Sequence, residues 1–199
     1  MLAGPSRRRS SVPGTTLELL VLSPGLDGCI GVDMQSGALV RAAYPPSVID
    51  DPPSFMPELF DILAASIADP EDDLERTLPE SVELAELPRP IGRLSRRKAD
   101  RLLRPLVHPP REPLLGIPGP AVAFWELRGN RPTVAVVEPE QPPAVVRRPQ
   151  GNRCRFLWRG MGQDLPLVAP PASPARRILV ALTPPVQGRC YKVVAGLLP

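Results

Sequence analysis

Three cysteines, one histidine and two lysines are all that this 199-residue chain holds of those types, and only eight residues are aromatic. Cys29, Cys154 and Cys190 are odd in number, widely spaced and form no CxxC pair, which argues against a disulfide framework or a zinc site. With His108 as the lone histidine, paired-imidazole chemistry and histidine metal clusters are excluded. No apolar run approaches the ~18 residues of a membrane span. Arg7-Arg8-Arg9 precedes only a short apolar run at 17–22, broken by Glu18, too little for a secretion signal. The expected setting is a reduced cytoplasm. No Walker loop, GxGxxG, GxSxG or HExxH is present. The sequence therefore nominates no catalytic residue, no metal ligand and no cofactor.

Proline and arginine are abundant instead: 30 prolines and 15 glycines accompany 24 basic residues, of which only Lys98 and Lys192 are lysine. A hydrophobic share of 43% is near the globular norm, so one or two cores can form. The net charge of +3 hides a partition. Residues 50–90 hold twelve acids and two bases, and the flanks are strongly basic. Such a chain either folds its halves of opposite sign together or turns a basic surface to a polyanion.

Residues 1–14 read as a disordered basic tail. Residues 15–50 read as a first β segment, with a buried strand at 17–22 and a hairpin turn at Met34-Gln35-Ser36. Residues 51–111 read as an acidic, then basic, helical middle. At 54–68, Leu59, Ile62, Leu63 and Ile67 share a helical face. Asp69-Pro70 can open a second short helix. A third, at 95–104, puts Ala99, Leu102 and Leu103 on one side and Arg96, Arg97, Lys98, Arg101 and Arg104 on the other, and Pro105 ends it. Its basic face meets phosphates, the acidic segment or water, and pairing with the acidic segment is the first expectation.

Residues 112–199 read as β, with strands at 121–127, 133–138, 144–148, 153–159, 165–168, 177–183 and 190–198. Short strands between Gly- and Pro-rich turns suit a small barrel or sandwich. The expected class is thus α+β, mostly β: one or two small antiparallel barrels with two or three short helices between. Phe124, Trp125, Phe156 and Trp158 read as core, the cysteines as small apolar residues, and His108 as an exposed linker residue.

The segment Arg153-Cys154-Arg155-Phe156-Leu157-Trp158-Arg159 carries the most specific local signal. In a strand, Cys154, Phe156 and Trp158 share one face and Arg153, Arg155 and Arg159 the other. Arg147, Arg148, Lys192 and Arg41 can extend this basic surface. Such a face binds single- or double-stranded nucleic acid through its phosphates, pairs with the acidic segment or is simply solvated. A protein-interaction adaptor is the alternative function.

Leu20-Val21-Leu22-Ser23, Asp27-Gly28-Cys29-Ile30-Gly31-Val32-Asp33 and Gly37-Ala38-Leu39-Val40-Arg41 resemble the start of the dual OB-containing domain family. Gly188-Arg189-Cys190-Tyr191-Lys192-Val193-Val194-Ala195-Gly196 resembles its closing strand. The likeness covers about 35 residues at the two ends. It departs at Pro24, where that pattern has a basic residue, and at Leu39-Val40, where it has an aromatic before the arginine. The resemblance implies two packed OB-like barrels, a nucleic-acid-binding role and no catalytic residue.

Overall fold

The computed structural model describes residues 16–45, 56–68, 78, 80–127, 131–170 and 174–199. The basic tail, the helix expected from Asp69-Pro70 and most of the acidic run around it lie outside these residues. The chain divides into two compact units, 1–99 and 100–199.

Unit 1 is built from β1 (Thr16–Pro24), β2 (Gly28–Asp33), β3 (Leu39–Ala43), β4 (Asp61–Ser66), β5 (Ser81–Glu83) and β6 (Arg89–Arg93). They form one sheet in the order β5-β3-β2-β1-β4-β6, in which only the β3–β5 pair is parallel. Past β4, Ile67 bridges Leu84 just beyond β5, and the Ala68 amide donates to the Glu83 carbonyl at 2.9 Å. The sheet is therefore curled. Period-two alternation fills its inside: Leu17, Leu19 and Val21 of β1 meet Cys29, Val40, Ala42, Leu63, Ala65, Ile67 and Leu84. Each fully buried leucine contributes about 2 kcal/mol. The β2–β3 turn falls at Met34-Gln35-Ser36 as expected, because the Asp33 carboxylate accepts the Gln35 and Ser36 amides at 3.3 and 3.2 Å.

Within the helix expected over 54–68, the described residues 56–68 are not helical. Asp61–Ser66 is strand β4, in register with β1 through Leu19↔Leu63. The apolar residues fit both periods, and the alternation Asp61, Leu63, Ala65, Ile67 is the one buried. Phe60, at φ +70°, turns the chain into the strand, and its amide donates to the Val21 carbonyl at 2.9 Å. Tertiary pairing overrides local helical pattern here. One α-helix, α1 (Arg96–Leu103), stands among the described residues where two or three were expected; three single 3-10 turns accompany it.

Unit 2 contains β7 (Ala121–Ala123), β8 (Val134–Val137), β9 (Ala144–Arg148), β10 (Gly151–Trp158), β11 (Met161–Pro166), β12 (Arg177–Leu182) and β13 (Arg189–Leu198). Their orders are β11-β10-β9 and β7-β13-β12-β8. Leu167, just past β11, bridges Val194 of β13 in parallel, and the Val168 amide donates to the Val194 carbonyl at 3.0 Å. The molecule is thus mostly β, with curled, mainly antiparallel sheets. β8 and β12 are buried along their whole length, which is why 134–137 and 178–182 read as unbroken apolar runs. No helix among the described residues is long and apolar enough to cross a membrane.

Candidate functional site

Two tight turns shape the β9–β10–β11 ribbon. Arg148 pairs with Gly151 across the first, and Trp158 pairs with Met161 across the second. The second loop is only Arg159-Gly160, at φ +56° and +68°, the left-handed pair that a two-residue hairpin demands. Register then assigns the faces. Cys154, Phe156, Trp158 and Leu165 point inward and are buried. Arg153 and Arg155 point outward, with Val146 opposite Arg153, Ala144 and Asp164 opposite Arg155, and Arg148 one pleat away. Arg147 pairs with Asn152 and so takes the other side of the pleat.

The outer face is not purely basic. Asp164 accepts from Arg153 Nε at 2.7 Å and from Arg155 Nε at 3.3 Å, and its backbone carbonyl accepts from Arg153 as well. The hydrogen bond from Arg153 holds the Asp164 carboxyl below the usual carboxylate range. All three side chains are a third to a half exposed, so water screens the cluster. Arg148 makes no ion pair among the described residues.

Of the seven residues that the sequence nominated, Arg148, Arg153 and Arg155 come together on this face. Arg159 does not, because the hairpin needs it in the turn. Lys192 is buried: its ammonium donates to the Ile117 carbonyl, and its own amide donates to the Pro120 carbonyl at 2.8 Å. Being buried, Lys192 does not join an exposed basic surface, and burial also pushes its ammonium down to about 8. Arg41 belongs to unit 1, on β3 opposite Ile30 and Ser81.

His108 is a buried residue, not an exposed linker. Its Nε2 lies 3.0 Å from the Pro113 carbonyl, and its ring stands 5.9 Å from that of Trp158. Trp158 donates its indole N–H to the Glu112 carbonyl at 3.0 Å. The two rings pin the 109–116 loop. All three cysteines are buried. Burial pushes the Cys29 thiol up to about 12 and the Cys154 thiol to about 11, so neither is poised as a thiolate.

Sequence reasoning missed Asp164 and misplaced Trp125. Asp164 was legible from the hairpin, since a two-residue Arg159-Gly160 turn places it opposite Arg155. Trp125 is 60% exposed, on the 3-10 turn Phe124–Glu126 that ends β7 early. Its ring passes over Gly188, so close that a side chain there would meet it at 3.3 Å. Tested against protein-family models, curated proteins and solved structures, the chain matches none of them.

Proposed function

We propose that this protein binds nucleic acid, without catalysis, through the outer face of β9, β10 and β11. The observation that carries the reading is the convergence of Arg148, Arg153 and Arg155 on that face, with Asp164 as its acidic member. Strand connectivity supports it. In unit 1, β1, β2 and β3 form a meander, β5 lies parallel to β3, and β4 returns beside β1. Unit 2 follows a similar order if β8 and β9 are taken together as a first strand: β10 and β11 follow β9, Leu167 past β11 bridges β13 in parallel, and β12 pairs with both β13 and β8. This order supports reading each unit as an OB-type Greek-key barrel, a fold whose second and third strands hold oligonucleotides. In unit 2 those strands are β10 and β11. The terminal resemblance to the dual OB-containing family points the same way.

Contacts of this kind go to phosphates. Binding is then salt-dependent and weakly sequence-selective. Labelled single- and double-stranded DNA and RNA, titrated across a salt series, test it. The expectation is micromolar or tighter binding with a steep salt slope, and a shallower slope when Arg148, Arg153 and Arg155 become glutamine together. No binding at low salt would refute the reading.

The Asp164 clasp favours a second reading, a protein-interaction adaptor whose ribbon is merely solvated. A stoichiometric protein partner that survives nuclease treatment would favour it.

A further inference from the structure

The second basic element of the chain is α1, and its counter-charge is committed elsewhere. At 100° per residue, Arg97, Lys98, Arg101 and the adjoining Arg104 fall within an arc of about 120°. Arg96, Arg97, Lys98, Arg101 and Arg104 are all exposed, and Ala99 and Leu103 are buried on the opposite side. The helix contains one acid, Asp100. Its carboxylate accepts from Arg177 Nη1 at 2.6 Å, and Arg177 is only 3% exposed. That bond to a buried guanidinium fixes the helix's rotation and draws its acid toward the protein. Only Arg104 reaches back to Asp100, at 3.4 Å. Arg96, Arg97, Lys98 and Arg101 make no ion pair among the described residues, whereas Arg153 and Arg155 share Asp164.

We infer that the exposed face of α1 is a second contact site for the phosphate backbone of nucleic acid; the inference rests on the function proposed above. Of the three cations on this face that make no ion pair among the described residues, two, Arg97 and Arg101, are arginines, whose planar forks match phosphate oxygens in pairs. An anionic lipid surface fits less well. Membrane-surface helices press exposed Leu, Phe or Trp into the acyl boundary, and on α1 Leu103 is buried and Leu102 half-buried.

The test compares three proteins on a 20-base-pair duplex and on a thirty-residue oligo(dT), across a sodium chloride series. They are the wild type, the triple variant Arg97→Gln/Lys98→Gln/Arg101→Gln and the strand variant Arg148→Gln/Arg153→Gln/Arg155→Gln. The helix variant should bind at least tenfold more weakly at low salt, and its duplex salt slope should fall by about two to three, near 0.9 for each phosphate that is no longer neutralised. Arg97→Lys/Arg101→Lys, which keeps the charge, should keep the slope. A helix variant with the wild-type slope overturns the inference; if the strand variant alone loses its slope, the proposed function stands without α1. If the helix variant alone loses it, α1 stands and the ribbon falls. A wild type that binds neither probe, or that binds only vesicles containing 30% phosphatidylserine, overturns both. All the substituted side chains are exposed except the half-buried Arg153, and an unchanged far-UV spectrum and thermal midpoint verify the fold.

Discussion

Arg153 and Asp164 are joined twice, by Nε to the carboxylate at 2.7 Å and by a terminal nitrogen to the backbone carbonyl. The same carboxylate reaches Arg155, so one acid occupies the inner donors of two arginines on the face proposed to meet phosphates. Asp164→Asn removes the negative charge and keeps the shape. Under the proposed function it should tighten oligonucleotide binding several-fold and steepen the salt slope by up to about one. An exposed cluster of this kind adds little to stability, so the thermal midpoint should barely move. Unchanged binding in the same salt series would show that the clasp does not compete with a ligand.

Arg159 sits at φ +56° before Gly160 at φ +68°. Asparagine tolerates the first of these positions far better than arginine. Arg159→Asn is therefore expected to raise stability by about 0.5–1 kcal/mol in urea unfolding and to leave the salt slope unchanged. A slope that falls with this substitution would return Arg159 to the binding face.

Alternation made most of unit 2 legible in the sequence. Cys154, Phe156 and Trp158 alternate with Arg153 and Arg155, and that pattern has one solution in a half-buried strand. The 144–148 strand was legible for the same reason. Residues 54–68 were not, because Leu59, Ile62, Leu63 and Ile67 satisfy a helical period while Leu63, Ala65 and Ile67 satisfy a strand period. Only pairing with β1 decides between them, and pairing is long-range information. Lys192 misled for a related reason: a cation in the last strand suggests a surface, yet the strand's inner side and the Ile117 carbonyl claim it. Trp125 failed through a glycine, since the ring lies over the space that Gly188 leaves empty.

Lys192 sets a pH dependence on the alkaline side. Its folded-state value of about 8 lies below the unfolded value of about 10.4. Between those values the unfolded chain binds the additional proton, so stability rises with pH there. Below about 8 both states are charged, and the burial cost is fully present. Urea unfolding of the wild type and Lys192→Met between pH 7 and 10.5 isolates the effect. The wild type should gain on the variant by up to roughly 3 kcal/mol over that range. A constant difference would mean that water or a partner reaches the ammonium.

Arg177 supplies the acid-side counterpart. It is buried at the start of β12, donating to Asp100 at 2.6 Å and to Glu138 at 3.0 Å, and Arg176 adds a bond to Glu138 at 2.9 Å. The hydrogen bond from Arg177 holds the Asp100 carboxyl below the ordinary range. Burial works to raise Glu138, but the bonds from Arg176 and Arg177 outweigh it and leave that group lowered as well. Carboxyls lowered in the folded state contribute stability above about pH 4, and that contribution is lost as pH falls through their lowered values. Arg177→Ala deletes a buried cation and leaves two partly exposed carboxylates, so it should cost about 2–3 kcal/mol at pH 7 in urea unfolding. It should also shrink the stability lost between pH 5 and pH 2, because less of the lowering remains to be undone. A variant as stable as the wild type, with the same acid limb, would show that Arg177 is a spectator. Asp100 would then have no anchor to draw it away from the basic face of α1.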